Sequence, residues 1–331
     1  MTVENIPWTI QGGKHSAASG RRVLYKATGG AEGIASRGDL IVKQAAVANG
    51  TVIVKAGGAT MVSRYPGVAG ESYDGQNLSD TVVNIAANGG GSTRYDLVIA
   101  RIDDWNFAGQ QAVPATLPTD TVAAFKLTTI QGVGAAVKTT RELGLAYPAI
   151  ALARIAIPAG TSAVTQAMIT DLREVAVPRR KRDLRVVAQK AGRNNTLFIT
   201  TPAGEQFPND GVFAVEIPEW ATQLKVQAIL GGIVILPGTA YGALWVRVGH
   251  GRADVINTEQ TLADFTSPKS DPSRITTYSG ATVSIPATMR GQSVTVLLMG
   301  RKLGGTVNLG ADASTSMSLD MEFVEAASED L

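Results

Sequence analysis

Few side chains in this sequence have the types and spacing that catalysis needs. His15 and His250 are the only two histidines, and neither stands in a GxSxG, HExxH or GxxxxGK[ST] pattern. His250 lies between two glycines, a setting typical of a turn. The chain has no cysteine, which excludes disulfides, thiolate metal ligands and cysteine nucleophiles. The sequence therefore predicts a protein that is not an enzyme, with no cofactor and no metal site.

Two carboxylates alone can hydrolyse glycosidic bonds, so the adjacent Asp103 and Asp104 are the first pair to consider. Both follow an apolar run that is typical of a strand. Neighbouring residues on a strand point to opposite faces, which makes these two a poor acid and base pair. We interpret them as structural counter-ions. A polysaccharide depolymerase remains a second alternative function, with no residues assigned to it.

Two apolar strands each contain one arginine, and both arginines need partners. Arg101 and Arg154 stand in matching Ala-Arg-Ile triplets. A guanidinium in an apolar strand must find carboxylates or carbonyls, and two such strands can be neighbours in one sheet. Asp103 and Asp171 are the predicted carboxylates. We call this arrangement the structural lock and expect it to fix the point where a second domain leaves the first.

Residues 147–174 are predicted to form the strand that carries Arg154 and the short helix that carries Asp171. Residues 149–157 are apolar except for Arg154, which predicts a strand buried on both faces. A Pro and a Gly then end the run. Thr165 is placed to cap a short helix that contains the ITDLRE sequence.

An aromatic residue beside an arginine offers a possible sugar contact in the second half of the chain. Alternation over residues 244–248 turns Leu244 inward and leaves Trp245 and Arg247 on the other face. Trp245 and Arg247, with Tyr241, are the candidate glycan contacts if this face is open. Cover by a loop or a subunit is the commoner outcome for such a Trp.

Composition and patterning favour an all-β protein of two domains. The 331 residues include 36 glycines and 14 prolines, with 44% hydrophobic and 18% charged residues, which suits many short strands joined by turns. Residues 21–28 and 50–56 alternate partly between glycine-rich breaks, which predicts strands. We expect an N-terminal antiparallel β domain with one short helix at 1–177, then a jelly-roll-like β-sandwich at 191–331.

Charge gives little indication of a nucleic-acid or membrane partner. The formal net charge is +2, and the basic run PRRKRDLR has no interleaved aromatic residues for base stacking. We interpret residues 178–190 as an exposed basic linker. No secretory signal or membrane-spanning apolar run is visible, so we expect synthesis in a bacterial cytoplasm and no membrane insertion.

Several motifs in combination resemble one family. RYDLVIARID, a proline-punctuated loop, LARIAIPAGT and ITDLRE follow one another, after Pro7-Trp8, GGAEGI and GDLIV. Over about residues 5–180, the chain resembles the N-terminal module of minor tail proteins, the tail-tip or baseplate components of long-tailed, siphovirus-type phages, especially those infecting actinobacteria. The resemblance implies a virion protein and carries no catalytic residues.

The resemblance also implies partners. Such proteins assemble as symmetric oligomers, so the expected partners are the chain itself, as a trimer or another symmetric oligomer, and other phage tail proteins. Their C-terminal domains are often directed at the host surface, which makes a host cell-wall glycan a further candidate partner. The alternative is a stand-alone carbohydrate-binding adhesin or receptor-binding module.

Overall fold

The computed structural model describes residues 16–107, 124–188, 197–267 and 270–327, and it divides the chain into two compact units. Unit 1 is Met1–Pro178 with Ala327–Leu331, and unit 2 is Arg179–Ala326. Nearly all regular structure is antiparallel strand, so the predicted all-β class is confirmed. His15 and the Pro7-Trp8 motif lie outside the described residues.

Within the described residues, unit 1 contains the α-helix α1, Ala17–Thr28, and ten strands. The strands are β1 Gly33–Ile34, β2 Val42–Gln44, β3 Thr51–Val54, β4 Gly57–Val62, β5 Ser72–Asn77, β6 Thr81–Asn84, β7 Arg94–Ile102, β8 Phe125–Val133, β9 Ala149–Ile157 and β10 Ile169–Asp171. They form three sheets, in the orders β1-β4-β5, β2-β3-β6 and β10-β9-β7-β8.

The segment predicted as a strand at 21–28 is helical instead. Ser16 caps α1 by accepting a hydrogen bond from the Ser19 amide at 3.2 Å, and Gly29 ends the helix in the left-handed conformation at φ 61°. Arg21 forms an ion pair with Glu71, the residue directly before β5, at 2.7 Å. The apparent alternation was misleading because both capping residues lie just outside it.

The sheet that contains β7 and β9 is the centre of unit 1. The two strands pair antiparallel, as the repeated Ala-Arg-Ile triplets predicted. On β7, Val98 and Ala100 belong to the main core, while Leu97 and Ile99 belong to a second cluster on the opposite face. Strand β9 is also almost wholly buried, so both strands are covered on both faces.

The predicted helix at ITDLRE is wrong. A single 3₁₀ turn, Gln166–Met168, follows Thr165, whose side chain makes no capping hydrogen bond. The chain then extends into β10, which pairs antiparallel with β9. The backbone of these residues is satisfied by that ladder, so tertiary pairing overrides the local helical pattern.

Unit 2 is a β-sandwich whose strand order defines a jelly roll. Its strands are β11 Arg180–Ala188, β12 Leu197–Phe198, β13 Glu205–Gln206, β14 Val212–Glu216, β15 Gln223–Ile235, β16 Gly238–Val248, β17 Ile256–Asn257, β18 Thr261–Ser267, β19 Ser273–Ser284, β20 Ser293–Gly305, β21 Leu309–Ala311 and β22 Ser316–Val324.

Eight of these strands form the two principal layers. The first sheet has the order β11-β22-β15-β19, and the second has the order β14-β20-β16-β18. Numbered one to eight along the chain, the orders are 1-8-3-6 and 2-7-4-5, the jelly-roll arrangement. Between the layers lies one apolar core that includes Phe323, Leu224, Val246 and Leu298. The predicted C-terminal sandwich is therefore confirmed.

The predicted basic linker is also wrong, because residues 180–188 form β11. This strand pairs with β22 along its whole length, from Arg180 opposite Val324 to Ala188 opposite Ser316. The backbone ladder with β22 holds this run in the sheet, and Arg180 and Arg182 form exposed ion pairs with Glu322 and Asp320 on that strand. Within the described residues, no helix is long and apolar enough to cross a membrane.

Candidate functional site

The structure brings Arg101 and Asp103 together, as the structural lock requires. Arg101 forms an ion pair with Asp103, and Lys126 Nζ contacts the other oxygen of the same carboxylate at 2.6 Å. The Arg101 guanidinium also lies over the Tyr147 ring, 3.8 Å from its centroid. Asp103 is thus held between two cations in a structural role.

Asp104 is occupied by a different set of neighbours. Tyr73 donates its hydroxyl hydrogen to Asp104 Oδ2 at 2.8 Å, and Asn106 donates its backbone N–H to Oδ1 at 3.0 Å. Burial raises the pKa of Tyr73 well above its usual value, and the hydrogen bond to Asp104 raises it further. The two adjacent carboxylates serve separate structural networks.

The second half of the structural lock has a different composition from the predicted one. Arg154 is cross-strand from Thr170, so Asp171, one residue further along β10, points to the opposite face. Arg154 instead donates to the Ala135 carbonyl and lies 5.6 Å from the Tyr95 ring centroid. The predicted contact between Arg154 and Asp171 is therefore wrong.

Arg173 takes the place that Arg154 was predicted to fill. Its side chain is fully buried and binds both oxygens of Asp171, at 2.9 and 2.7 Å. It also donates to the carbonyls of Arg37 and Asp39, at 3.2 and 2.7 Å. The signal that could have identified it is the Asp-Leu-Arg spacing, which places the two charged residues on the same face of an extended chain.

The predicted glycan contacts do not form an open platform. Trp245 is only 4% exposed, packs with Leu297 and Met299, and donates its indole N–H to Asn257 at 3.0 Å. A β-carbon at Gly204 would lie 2.6 Å from its ring, which shows how closely the backbone covers it. Trp245 is therefore covered, which was the commoner outcome expected for such a residue, and it offers no exposed sugar platform.

The other two predicted contacts lie on the same strand as Trp245. Arg247 Nε donates to the Asn257 oxygen that also accepts from Trp245, at 2.8 Å. Tyr241 is half-buried, and a β-bulge between Tyr241 and Gly242 interrupts the alternation that related it to the other two. Arg247 and Trp245 thus share one amide oxygen and act in packing.

A separate recess in unit 2 lies on the outer face of the first jelly-roll sheet. It is an open groove of about 590 Å³, and we call it the outer groove. The polar side chains that line it include those of Arg182, Lys225, Gln227, Asp320 and Glu322. Buried and more exposed residues alternate along β15 and β22, so these polar side chains face away from the core.

Two ion pairs line the outer groove. Arg182 Nε contacts Asp320 Oδ1 at 2.8 Å, and Lys225 Nζ contacts Glu322 Oε2 at 3.1 Å. The hydrogen bond from Arg182 lowers the pKa of Asp320, and that from Lys225 lowers the pKa of Glu322. Both carboxylates therefore stay ionised at neutral pH and are ready acceptors for hydroxyl groups.

An apolar row borders the ion pairs. Tyr278, which lines the outer groove, is 65% exposed and lies directly opposite Ile229, which is 42% exposed. Ile229 pairs with Ser318, which in turn pairs with the exposed Val186 on β11. An aromatic ring beside paired carboxylates and an amide is an arrangement that can bind a sugar ring by its apolar face and its hydroxyls.

In the described residues, no cluster of three or more potential metal ligands occurs.

The comparisons with known proteins are distant. No protein-family model and no curated protein matches the chain. Among solved structures, the VP2 subviral particle of infectious bursal disease virus is similar at 12% identity, covering 91% of this chain and 77% of that chain with a TM-score of 0.27. A CBM22-1–CBM22-2 tandem domain from Paenibacillus barcinonensis Xyn10C has 11% identity, coverage of 89% and 100%, and a TM-score of 0.21.

Scores this low carry no argument about function, and the jelly-roll assignment rests on the strand order of unit 2 itself. The fold alone does not decide between roles, since jelly rolls serve in viral shells, lectins and cupins.

Proposed function

We propose that this chain is a structural component of a virus particle, a minor tail or baseplate protein of a long-tailed phage. The observation that carries the proposal is the family resemblance of residues 5–180. Its RYDLVIARID and LARIAIPAGT motifs form the adjacent, doubly buried strands β7 and β9. In this proposal unit 1 docks in the tail, and unit 2 serves host contact or assembly.

The location of the chain tests this proposal. Immunogold electron microscopy of purified phage particles should place the label at one end of the tail. Deletion of the gene should yield particles with incomplete tails or without adsorption to the host. The proposal fails if the purified particles lack the chain while the lysate contains it in free form.

The same proposal includes symmetric self-association and contact with other tail proteins. Sedimentation of the full chain at micromolar concentration should show an oligomer. A monomer that also fails to associate with the other tail proteins of the phage would count against the assembly role.

A second candidate function is carbohydrate binding, and the outer groove favours it. Here Tyr278 supplies an exposed aromatic face, while Asp320 and Glu322 supply ionised acceptors. Binding suits this groove better than hydrolysis does, because a glycosidase acid needs a raised pKa and both pKa values are lowered. We therefore place a host cell-wall glycan, and no hydrolytic step, at the groove.

Replacement of one aromatic side chain tests glycan binding. Tyr278→Ala should weaken binding of the full chain to isolated host cell walls about tenfold, equivalent to about 1.4 kcal/mol. Val212→Ala is the control, because Val212 is an exposed apolar residue, at 43%, on β14 at the other edge of the second sheet. Unchanged binding by Tyr278→Ala would remove the outer groove from the binding site.

A further inference from the structure

The first strand of unit 2 has a long exposed edge. Strand β11 is the terminal strand of the first jelly-roll sheet and pairs with β22 on one side. In the described part of the chain, no strand pairs with its other side. Leu184 is 57% exposed and Val186 is 68% exposed. A nine-residue edge with exposed apolar side chains is a template for pairing with another strand.

The hydrogen-bonding pattern shows which residues face this edge. The Glu325 N–H donates to the Arg179 carbonyl at 3.0 Å, one step beyond the register of β11 with β22. In an antiparallel pair, alternate residues bond to the partner strand and the residues between them point away. Odd-numbered residues of β11 therefore bond to β22, and the even-numbered residues 180–188 turn their N–H and C=O groups to the open edge.

We infer that the open edge of β11 pairs antiparallel with β11 of a second copy of this chain, centred on Leu184. In that register Leu184 faces its own copy. Asp183 of each chain lies opposite Arg185 of the other, so two complementary ion pairs form across the dyad. Each chain's even-numbered residues meet even-numbered residues of the other, as the open N–H and C=O groups require.

The alternative registers are poorer. Centring the pair on residue 182 or 185 sets an arginine opposite itself, and centring it on Asp183 sets that carboxylate opposite itself. A pair centred on Val186 avoids like charges but loses several strand residues from the overlap. Only the register centred on Leu184 pairs all nine residues without opposing like charges.

The basic character of β11 does not prevent this pairing. The guanidinium of Arg182 is already paired with Asp320 of its own chain, and Arg180 reaches Glu322 at 3.4 Å. These intrachain carboxylates offset the positive charge that two copies of β11 would bring together. The aliphatic stem of Arg182 can then lie against Val186 of the other copy, which faces it in this register.

The dyad of an antiparallel pair is perpendicular to the sheet, so the pairing joins the two first sheets into one continuous sheet. Both outer grooves then open on the same side of it. The proposed function calls for a symmetric oligomer, and this inference names one interface. It does not depend on the location of the chain in a phage tail, and the two can fail separately.

Complementary charge variants test the inference on the full chain. Asp183→Arg and Arg185→Asp should each weaken self-association at this edge at least tenfold, because each sets like charges opposite each other. An equimolar mixture should regain association, since every facing pair is again complementary. Each substitution also removes the intrachain contact between Asp183 and Arg185, which is 2.9 Å. Mixing does not restore that contact, so association regained in the mixture reports pairing between chains. Wild-type association in both variants, or a mixture that stays dissociated, overturns the inference.

Disulfide crosslinking detects this interface even if other surfaces of the chain also associate. The chain has no cysteine, so Leu184→Cys introduces a single thiol at the dyad. Facing residues across such a pair have Cα atoms about 5.5 Å apart, within the range for a disulfide. Mild oxidation should give covalent dimers. Leu262→Cys, exposed on the second sheet, is the control, and equal crosslinking of the two variants overturns the inference.

Discussion

The two units of the chain place their charged residues differently. In unit 1 the side chains of Arg173 and Asp96 are fully buried, and Glu71 is 1% exposed, each within an ion pair. In unit 2 the pairs of Arg182 and Arg274 lie on outer surfaces, and the cluster between the two sheets is made of apolar side chains. The buried Glu325 lies outside that cluster and pairs with Arg179, whose side chain is 56% exposed.

The difference follows from the sizes of the sheets. Unit 1 has three small sheets whose connecting segments pass close to the core, so backbone carbonyls such as those of Arg37 and Asp39 need buried donors. Unit 2 has two broad sheets that satisfy their own backbone groups and share one core. Charge therefore stabilises the interior of unit 1 and remains available for contacts on unit 2.

The largest expected effect that would test this comparison comes from Arg173. Replacement by Met leaves Asp171 and two carbonyls without the buried guanidinium, and the free energy of unfolding of unit 1 should fall by about 3–5 kcal/mol. Hydrogen exchange measured by mass spectrometry reports the two units separately. The matched variant Arg182→Met, in an exposed pair, should leave protection in unit 2 unchanged. Equal effects of the two variants would contradict the comparison.

A smaller effect is expected at Tyr73. Tyr73→Phe removes the hydrogen bond to Asp104 and should cost about 1–3 kcal/mol at neutral pH. Because the folded pKa of Tyr73 is raised above its unfolded value of about 10, its contribution is complete below that pH and is lost as the pH rises further. Urea unfolding between pH 8 and about 11 should show this loss in the wild type and less of it in the variant. If the free energy of unfolding depends on pH in the same way in the wild type and the variant, ionisation of Tyr73 is not linked to unfolding.

The smallest effect is expected from the acidic side of the outer groove. Arg182 and Lys225 lower the folded pKa values of Asp320 and Glu322, so their contribution to stability is present above pH ~4 and is lost as the pH falls. Asp320→Asn should show a slightly flatter acid unfolding profile than the wild type. NMR titration of both carboxyl groups measures the pKa values directly. Values at or above those of free side chains would show that the pairs do not form.

Sequence patterns predicted the strands in which the pattern of apolar residues matches the pattern of burial. The doubly buried strand at 149–157 and the sandwich in the second half follow from apolar periodicity. The matching Ala-Arg-Ile triplets indicated that this strand is a neighbour of the strand that contains Arg101. These features depend on local pattern and need no knowledge of distant partners.

The errors arose where a distant partner decides the structure. Residues 180–188 look like a linker until the acidic strand β22 is placed beside them. Arg154 and Asp171 look like partners until the register shows that they lie on opposite faces. Cover of Trp245 was expected as the commoner outcome, but the sequence did not show that the backbone at Gly204 provides it. Register and loop cover are set by contacts far apart in sequence, which periodicity does not record.

The pairing of β11 with β22 has a consequence for synthesis. The first strand of unit 2 pairs with β22, so this sheet cannot close until residue 324 has left the ribosome. Unit 1 can begin to fold much earlier, because its paired strands β7 and β9 both precede residue 178. Until β22 is made, nascent β11 lacks its partner on either side. We expect truncation within β22 to leave a chain that aggregates through its opening strand, while unit 1 keeps its own hydrogen-exchange protection.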